Sequence, residues 1–354
     1  MSSLYDVTEK GVQPNPLKPT PSTKTSKEYI NMFKKDFQYK VISDDPNELV
    51  CLLSNIDVSI ANAIRRILLA DVPTMAIETV YIDQNTSITH DEVLSHRLGL
   101  MPVLADPTEF EVGGDEDTDW NTLVFRLDVT CPPAPPPPPP SSAPSAPPTP
   151  SSETPPTTAT RLAQKHLSTP PPPPKNFLPV YSHSLEWIPC GDQSTRLLIP
   201  PKIMSDILIT KLRPNQKITL EAHCKKSNGT DHAKFSPVCT ASYRMLPVIK
   251  MLDNVRGEDA EELCTLEPGV FKLIEKDGEV EAVIDDPMKC TMSRNYLMNP
   301  RLKSKIKIER SGRDFIFCIE SVGQVEPKKL LKRAVQILKE KGERLVRVLE
   351  EEGN

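Results

Sequence analysis

The chain has 354 residues, enough for two ordinary domains, with 38% apolar residues, 26% charged residues and a formal net charge of −5. That balance argues against a chain whose main task is gripping nucleic acid, which would carry a strong basic excess, and leaves room only for a local basic patch. No apolar run reaches the length of about 18 residues that a membrane span needs.

Residues 1–27 are polar and rich in Pro, Ser, Thr and Lys, and read as a loose tail. They contain no apolar h-region of the secretory kind, so secretion is not expected. Order is expected from about Tyr29. Glu48–Ile56 (ELVCLLSNI) is strand-like and runs into a helix that Asp57 or Ser59 can cap and Pro73 ends. On that helix Ile60, Ile64, Ile67 and Leu68 share one face, and Arg65 and Arg66 project away from it.

Met75–Ile82 reads as a strand. A second helix follows over about Thr89–Leu98, with Asp91 and Glu92 in its first turn and Gly99 and Pro102 closing it. Thr122–Thr130 alternates like a half-buried strand. Of the 38 prolines, 19 fall between Pro132 and Pro174. Such a block offers no ladder donors and little apolar surface to offset ordering, so it reads as a disordered insertion within a domain. It also offers PxxP-type ligands, although passive spacing is the plainer reading.

Asp206–Cys224 reads as strands. Two hairpins are expected, Lys272–Ile284 around Asp277-Gly278 and Ile306–Ile319 around Ser311-Gly312. Pro327 to about Glu352 forms one long helix of roughly 35–40 Å. Leu331, Val335, Leu338, Gly342, Leu345 and Leu349 are spaced 4-3-4-3-4, a heptad seam that asks for a partner helix. Glu340–Arg344 and Glu343–Arg347 are expected as ion pairs on its wet side.

The eight cysteines, Cys51, Cys131, Cys190, Cys224, Cys239, Cys264, Cys290 and Cys318, include no CxxC or CxC pair. Free thiols in a reducing compartment, with no zinc site, are the expectation. The set His223, Cys224, His232 and Cys239 has poor ligand spacing. The DEDTD loop at Asp115, Asp117 and Asp119 lacks the Gly and Glu of a calcium loop, since those positions hold Trp120 and Arg126. No nucleophile–base motif and no phosphate-cradling glycine loop is found.

Three segments carry a resemblance. SIANAIRRILLADVPT, from Ser59 to Thr74, is similar to the assembly helix of bacterial α. NTSITHDEVLSHRLGLMPV, from Asn85 to Val103, resembles the eukaryotic and archaeal branch. DHAKFSPVCTASYRMLP, from Asp231 to Pro247, looks like the version in polymerases I and III. The chain is thus similar to the α-like subunits of cellular RNA polymerases over Tyr29 to about Thr130 and Tyr181 to the end, the Pro-rich block lying outside.

The resemblance implies an α+β fold, with a discontinuous dimerisation domain (28–78 and 237–354) and an inserted domain (79–236) that contains the 132–174 insertion. It implies a non-catalytic scaffold in the nucleus that pairs with a smaller α-like subunit; some members of the family hold a metal on closely spaced cysteines, and because this chain has no such cluster, no metal or cofactor is expected. The largest polymerase subunits and small assembly subunits then gather on that pair, and DNA is met only through the complex. Ile60, Ile64, Ile67, Leu68, Leu331, Val335, Leu338, Leu345 and Leu349 are the expected heterodimer contacts. Arg65 and Arg66 are expected to meet a large subunit, Arg66 matching the recruiting position of the family helix. The rivals are the polymerase II or archaeal counterpart, against which the absent cysteine cluster and the DHAKFSPV block argue, and a free-standing Pro-rich adaptor.

Overall fold

A computed structural model of the chain describes residues 5–8, 11–14, 26–114, 116–133, 177–276 and 278–352. From the N-terminus the elements are β1 (Tyr5–Thr8), β2 (Gly11–Pro14), α1 (Ser26–Asp36), β3 (Gln38–Asp44), β4 (Glu48–Ser54), α2 (Val58–Ala70) and β5 (Thr74–Asn85). Next come α3 (Asp91–Gly99), β6 (Val103–Leu104), β7 (Thr122–Thr130), β8 (Leu178–Tyr181), β9 (Glu186–Ile188), α4 (Gln193–Arg196), β10 (Lys202–Ile203), β11 (Leu208–Leu212) and β12 (Lys217–Ser227). The last are β13 (Val238–Met251), α5 (Glu258–Leu266), β14 (Phe271–Lys276), β15 (Glu279–Ile284), α6 (Pro300–Lys305), β16 (Ile306–Ser321) and α7 (Pro327–Glu352). Helices and sheets are mixed as the α+β reading requires.

The expected disorder of 132–174 falls outside the described residues, except for Pro132 and Pro133. Within the stretch expected as a loose tail, β1 and β2 pair antiparallel, with Tyr5 opposite Pro14 and Thr8 opposite Gly11, and α1 starts at Ser26.

The chain divides into two units. The first comprises Met1–Ala76, Pro102–Thr122 and Lys225–Asn354, and the second Ile77–Met101 and Leu123–Cys224. The sequence reading assigns 102–122 and 225–236 to the inserted domain, whereas they group with the first unit. Side chains at the end of β12 explain this. Lys225 is 2.9 Å from Asp117, and Lys226 donates to the Phe110 carbonyl at 2.7 Å.

The first unit is built on a four-stranded sheet in the order β13-β16-β4-β3, with antiparallel neighbours. Leu49, Cys51 and Leu53 of β4 lie opposite Ile319, Phe317 and Phe315 of β16, so a strand period of two puts all six on one face. That face is buried, and α2 and α7 cover it with Ala61, Ile64, Ile67, Leu68, Leu330, Ala334 and Ile337. Phe33 of α1 and Phe37 just after it pack at its margin, their rings 5.3 Å apart.

The hairpin expected at Ile306–Ile319 does not form. β16 is a single 16-residue strand, and the pairing with β13 jumps from Met245–Phe315 to Pro247–Arg310. Ser311-Gly312 is therefore a bulge. Gly312 does not adopt the positive φ a tight turn would need, whereas Gly278 does, at +80°. The Ser311 hydroxyl holds the bulge by donating to Asp314 Oδ2 at 2.5 Å and accepting from the Asp314 N–H at 3.1 Å. The other expected hairpin forms as β14–β15, with Asp277 outside the described residues.

Between β13 and β16 the chain builds a second core of its own in this unit. Val255, Ala260, Leu263, Val270, Phe271, Ala282, Cys290, Tyr296, Leu302 and Ile306 cluster there. The second unit carries the sheet β5-β12-β7-β9 and the pair β8–β11. Its buried residues include Ile77, Leu94, Leu98, Phe125, Leu127, Ile209, Leu212 and Leu220. Among the described residues no helix is long and apolar enough to cross a membrane.

Candidate partner-binding site

α2 begins where its sequence asks it to. The Asp57 carboxylate accepts from the Ser59 N–H at 2.8 Å and from its hydroxyl at 2.6 Å. These two bonds, the hydroxyl's first, hold the Asp57 carboxyl below the usual range. The other end is pinned by a loop. Thr230 donates its N–H and hydroxyl to the Ala70 carbonyl, each at 3.2 Å, and Asp71 pairs with Lys341 of α7 at 2.9 Å.

The apolar stripe of α2 is not a free face. Ile64, Ile67 and Leu68 lie inside the unit's own core, and only Ile60 remains partly exposed. In this chain the three residues, expected as heterodimer contacts, cover the unit's own sheet. The inner sheet face of Phe315, Phe317 and Leu53 needs a cover, and this stripe supplies it. The two arginines differ from each other. Arg65 folds back onto Asn62 Oδ1 with bonds of 3.1 and 3.0 Å. Arg66 is exposed and makes no hydrogen bond or ion pair among the described residues.

α7 has the expected span but a different inner face. Leu330, Ala334 and Ile337 are the buried positions, while Leu331 and Leu338 are half-buried against the same core. The expected seam lies one residue further round the helix, so Val335, Leu345 and Leu349 are exposed, at 49%, 61% and 60%. The doublets Leu330-Leu331 and Ile337-Leu338 carry two adjacent 4-3 stripes, a wide apolar face of the kind that covers a core. Sequence reasoning took the second stripe and missed the first.

Past Ile337 the helix leaves the core. Leu345, Val346, Val348 and Leu349 are all exposed, and a shallow groove lined by Leu338, Gly342 and Val346 runs along this half. A methyl group placed on Gly342 would meet nothing within 4 Å. The ion pairs here are not those expected. Glu343 pairs backwards with Lys339 and Glu340 with Arg333, both at 3.6 Å, and Arg344 and Arg347 are unpaired among the described residues.

The other resemblance segments form hydrogen-bonded frames. In the second unit, Asn85 Nδ2 donates to the Thr89 carbonyl at 2.8 Å and to Asp91 at 2.7 Å, and Ser87 donates to Asn85 Oδ1 at 2.7 Å. Thr89 meets Thr210 at 2.8 Å, and Arg97 donates to the carbonyls of Ile209 and Leu208. In the first unit, His232 Nδ1 accepts from the Lys234 N–H at 3.1 Å, and the buried Phe235 offers its carbonyl to the Thr74 hydroxyl at 2.6 Å.

The set His223, Cys224, His232 and Cys239 does not converge. His223 packs edge-on against Tyr81, Cys224 is buried, His232 caps its turn and Cys239 is exposed. Among the described residues the one group of metal-ligand type is Glu48, Cys318 and Glu320. Burial, followed by its hydrogen bond to Glu48, pushes the Cys318 thiol up to about 11, and burial does the same to Cys51. Thiols held protonated are poor ligands and poor nucleophiles. In the acidic loop, Asp117 is taken by Lys225, and Asn121 bridges the Thr118 N–H and the Glu116 carbonyl.

The family profile described as the RNA polymerase Rpb3/Rpb11 dimerisation domain matches residues 51–341. The human protein named DNA-directed RNA polymerases I and III subunit RPAC1 is 41% identical over 314 residues, which cover 86% of this chain and 82% of that one. Its Saccharomyces cerevisiae counterpart is 40% identical over 329 residues, covering 89% and 88%. The Dictyostelium discoideum DNA-directed RNA polymerase II subunit rpb3 is 26% identical over 329 residues, covering 88% and 94%. The chain is thus nearer to these polymerase I and III subunits than to that polymerase II subunit.

Proposed function

We propose that this chain, a member of the RNA polymerase Rpb3/Rpb11 dimerisation-domain family, is the α-like assembly subunit of nuclear RNA polymerases I and III, serving in both nucleolus and nucleoplasm. It is a scaffold with no active site of its own. It pairs with a smaller α-like subunit, and the largest polymerase subunits and small assembly subunits join that pair. DNA is met only through the complex.

The observation that supports the pairing most directly is the outer half of α7. Four apolar side chains, Leu345, Val346, Val348 and Leu349, stand in water beyond the last core contact at Ile337 and Leu338. Covering the half or so that each still exposes is worth about 1 kcal/mol. Gly342 in mid-helix costs about 1 kcal/mol relative to Ala, and a methyl group added there meets nothing within 4 Å among the described residues. A second helix approaching closely at that point accounts for both features. Leu331 and Leu338, half-buried at the edge of the core, then border the contact.

Co-expression with a smaller α-like subunit tests this. Leu345→Asp with Leu349→Asp places two charges on the outer half and leaves Leu330, Ala334 and Ile337 untouched. The variant should keep its circular dichroism spectrum and lose the heterodimer on size-exclusion chromatography. A folded variant that pairs at wild-type strength refutes the assignment.

A further inference from the structure

The net charge of −5 conceals a local reversal. Between Lys289 and Arg313 the sequence holds eight Lys and Arg residues and a single carboxylate, Glu309. Several of the cations are neutralised nearby. Lys305 and Arg301 face Asp259 at 3.1 and 3.6 Å, and Glu309 sits between Lys250 and Lys307, 2.6 Å from each. Arg294 and Lys303 are exposed and have no ion pair among the described residues.

The same stretch exposes apolar side chains. Asn295–Met298 forms one 3-10 turn directly before α6, and there Leu297 is 39% and Met298 87% exposed. A loose loop would carry such residues without consequence, but this one is firmly built. Arg244 donates to the carbonyls of Met288 and Cys290, at 2.6 and 3.2 Å. Buried Glu267 accepts from the Ser293 hydroxyl at 2.5 Å and faces the Cys290 thiol at 3.9 Å. Asn299 donates to Glu262 at 2.7 Å. The two residues flanking Ser293 are left-handed without being glycine, Met292 at φ 60° and Arg294 at φ 63°. Local strain of that kind persists only where the surroundings impose it, and it concentrates at working surfaces.

We propose that the turn Arg294–Met298 with the outer side of α6 is a docking surface for an acidic protein segment that carries an apolar anchor. Arg294 and Lys303 supply charge for Asp and Glu side chains, and Leu297 and Met298 seat the anchor. Methionine suits this task, because its unbranched, polarisable side chain adapts to the shape it meets. Nucleic acid fits less well. Its non-specific binders interleave cations with exposed aromatic rings on which bases stack, whereas Tyr296, the one aromatic residue between Lys289 and Arg313, is buried.

Fluorescence anisotropy on the full chain tests the proposal with three probes: a peptide alternating Glu and Leu, a polyglutamate of equal charge, and a DNA duplex. The alternating peptide should bind most tightly, and its affinity should fall as salt rises. Arg294→Glu combined with Lys303→Glu should weaken it by about tenfold or more, and Met298→Ser should weaken it measurably. Thermal melting should be unchanged in both variants, since the altered side chains are exposed. The proposal is overturned if the peptide does not bind, or if the charge reversals leave its affinity intact. It is equally overturned if polyglutamate binds as well as the peptide, if Met298→Ser has no effect, or if DNA is the tightest ligand.

Discussion

Gly229 stands so close to Leu69 that a methyl group added to it would lie 2.2 Å from the Leu69 carbonyl oxygen and 3.1 Å from the Ala70 Cα. Both neighbours are backbone at the end of α2 and cannot swing aside. Gly229→Ala must therefore push the loop off the helix and break the bonds from Thr230 to the Ala70 carbonyl. The expected loss is about 1–3 kcal/mol, the scale of overpacking a filled site. Urea denaturation of the full chain measures it. Gly114→Ala, where an added methyl group meets nothing within 4 Å, is the control and should be close to neutral.

Gly342 presents the opposite case. An added methyl group meets nothing within 4 Å among the described residues, and alanine is the better helix former. Gly342→Ala should stabilise the isolated chain by about 0.5–1 kcal/mol while weakening the pair with the smaller α-like subunit. Denaturation of the single chain and titration of the pair give the two values. A variant that tightens the pair as well as the chain contradicts a close helix approach at this point.

The Asp57 cap makes a pH-dependent contribution. Its bonds from the Ser59 hydroxyl and N–H lower its pKa in the folded chain. A depressed folded pKa means stabilisation that is present above the unfolded value, about 3.9, and lost as pH falls through the folded value. Asp57→Ala should thus cost about 1 kcal/mol at pH 7, shrinking in acid below about pH 4. Asp57→Asn retains an acceptor for the Ser59 N–H and should lose the pH dependence rather than the cap. Urea melts across the acid range decide between these outcomes, and a penalty for alanine that is constant with pH speaks against the ionised cap.

What the sequence discloses about this fold follows from how local the cause is. α2 was legible because an acidic cap, an apolar stripe and a proline mark it within seventeen residues, Asp57 to Pro73. α7 was legible for the same reason, since Pro327 starts it and its periodicity persists. The use of its faces was not, because Leu330 and Leu331 are equally apolar and only the sheet beneath decides which of them turns inward. The α2 stripe carries the same lesson. Periodicity reveals an apolar face but not whether Phe315 of the same chain or another subunit covers it. Ser311-Gly312 has the two-residue signal of a turn, whereas its outcome as a bulge depends on pairing with β13, some sixty residues away. Of the core around Leu263 and Phe271 only the β14–β15 hairpin was marked locally, because the other members come largely from short elements too small to show a period.

Arg66 of α2 makes no hydrogen bond or ion pair among the described residues. Arg65, one position earlier, is tied to Asn62 at 3.0 Å, so the two can be compared within a single helix. An exposed arginine without an internal partner keeps its planar fork free for a carboxylate or carbonyl of another subunit. Arg66→Ala is therefore expected to leave the fold and the pair with the smaller α-like subunit intact. It should reduce recovery of a large polymerase subunit, since losing one charge-assisted contact at a buried interface costs about 2–5 kcal/mol. Arg65→Ala should have the smaller effect on that recovery. Affinity purification from cells, with the co-purifying subunits quantified by mass spectrometry, reads both variants at once. Undiminished recovery of both large subunits with Arg66→Ala sinks the assignment. So does joint loss of the smaller α-like partner, because the substitution would then act on α2 itself rather than on a contact it presents.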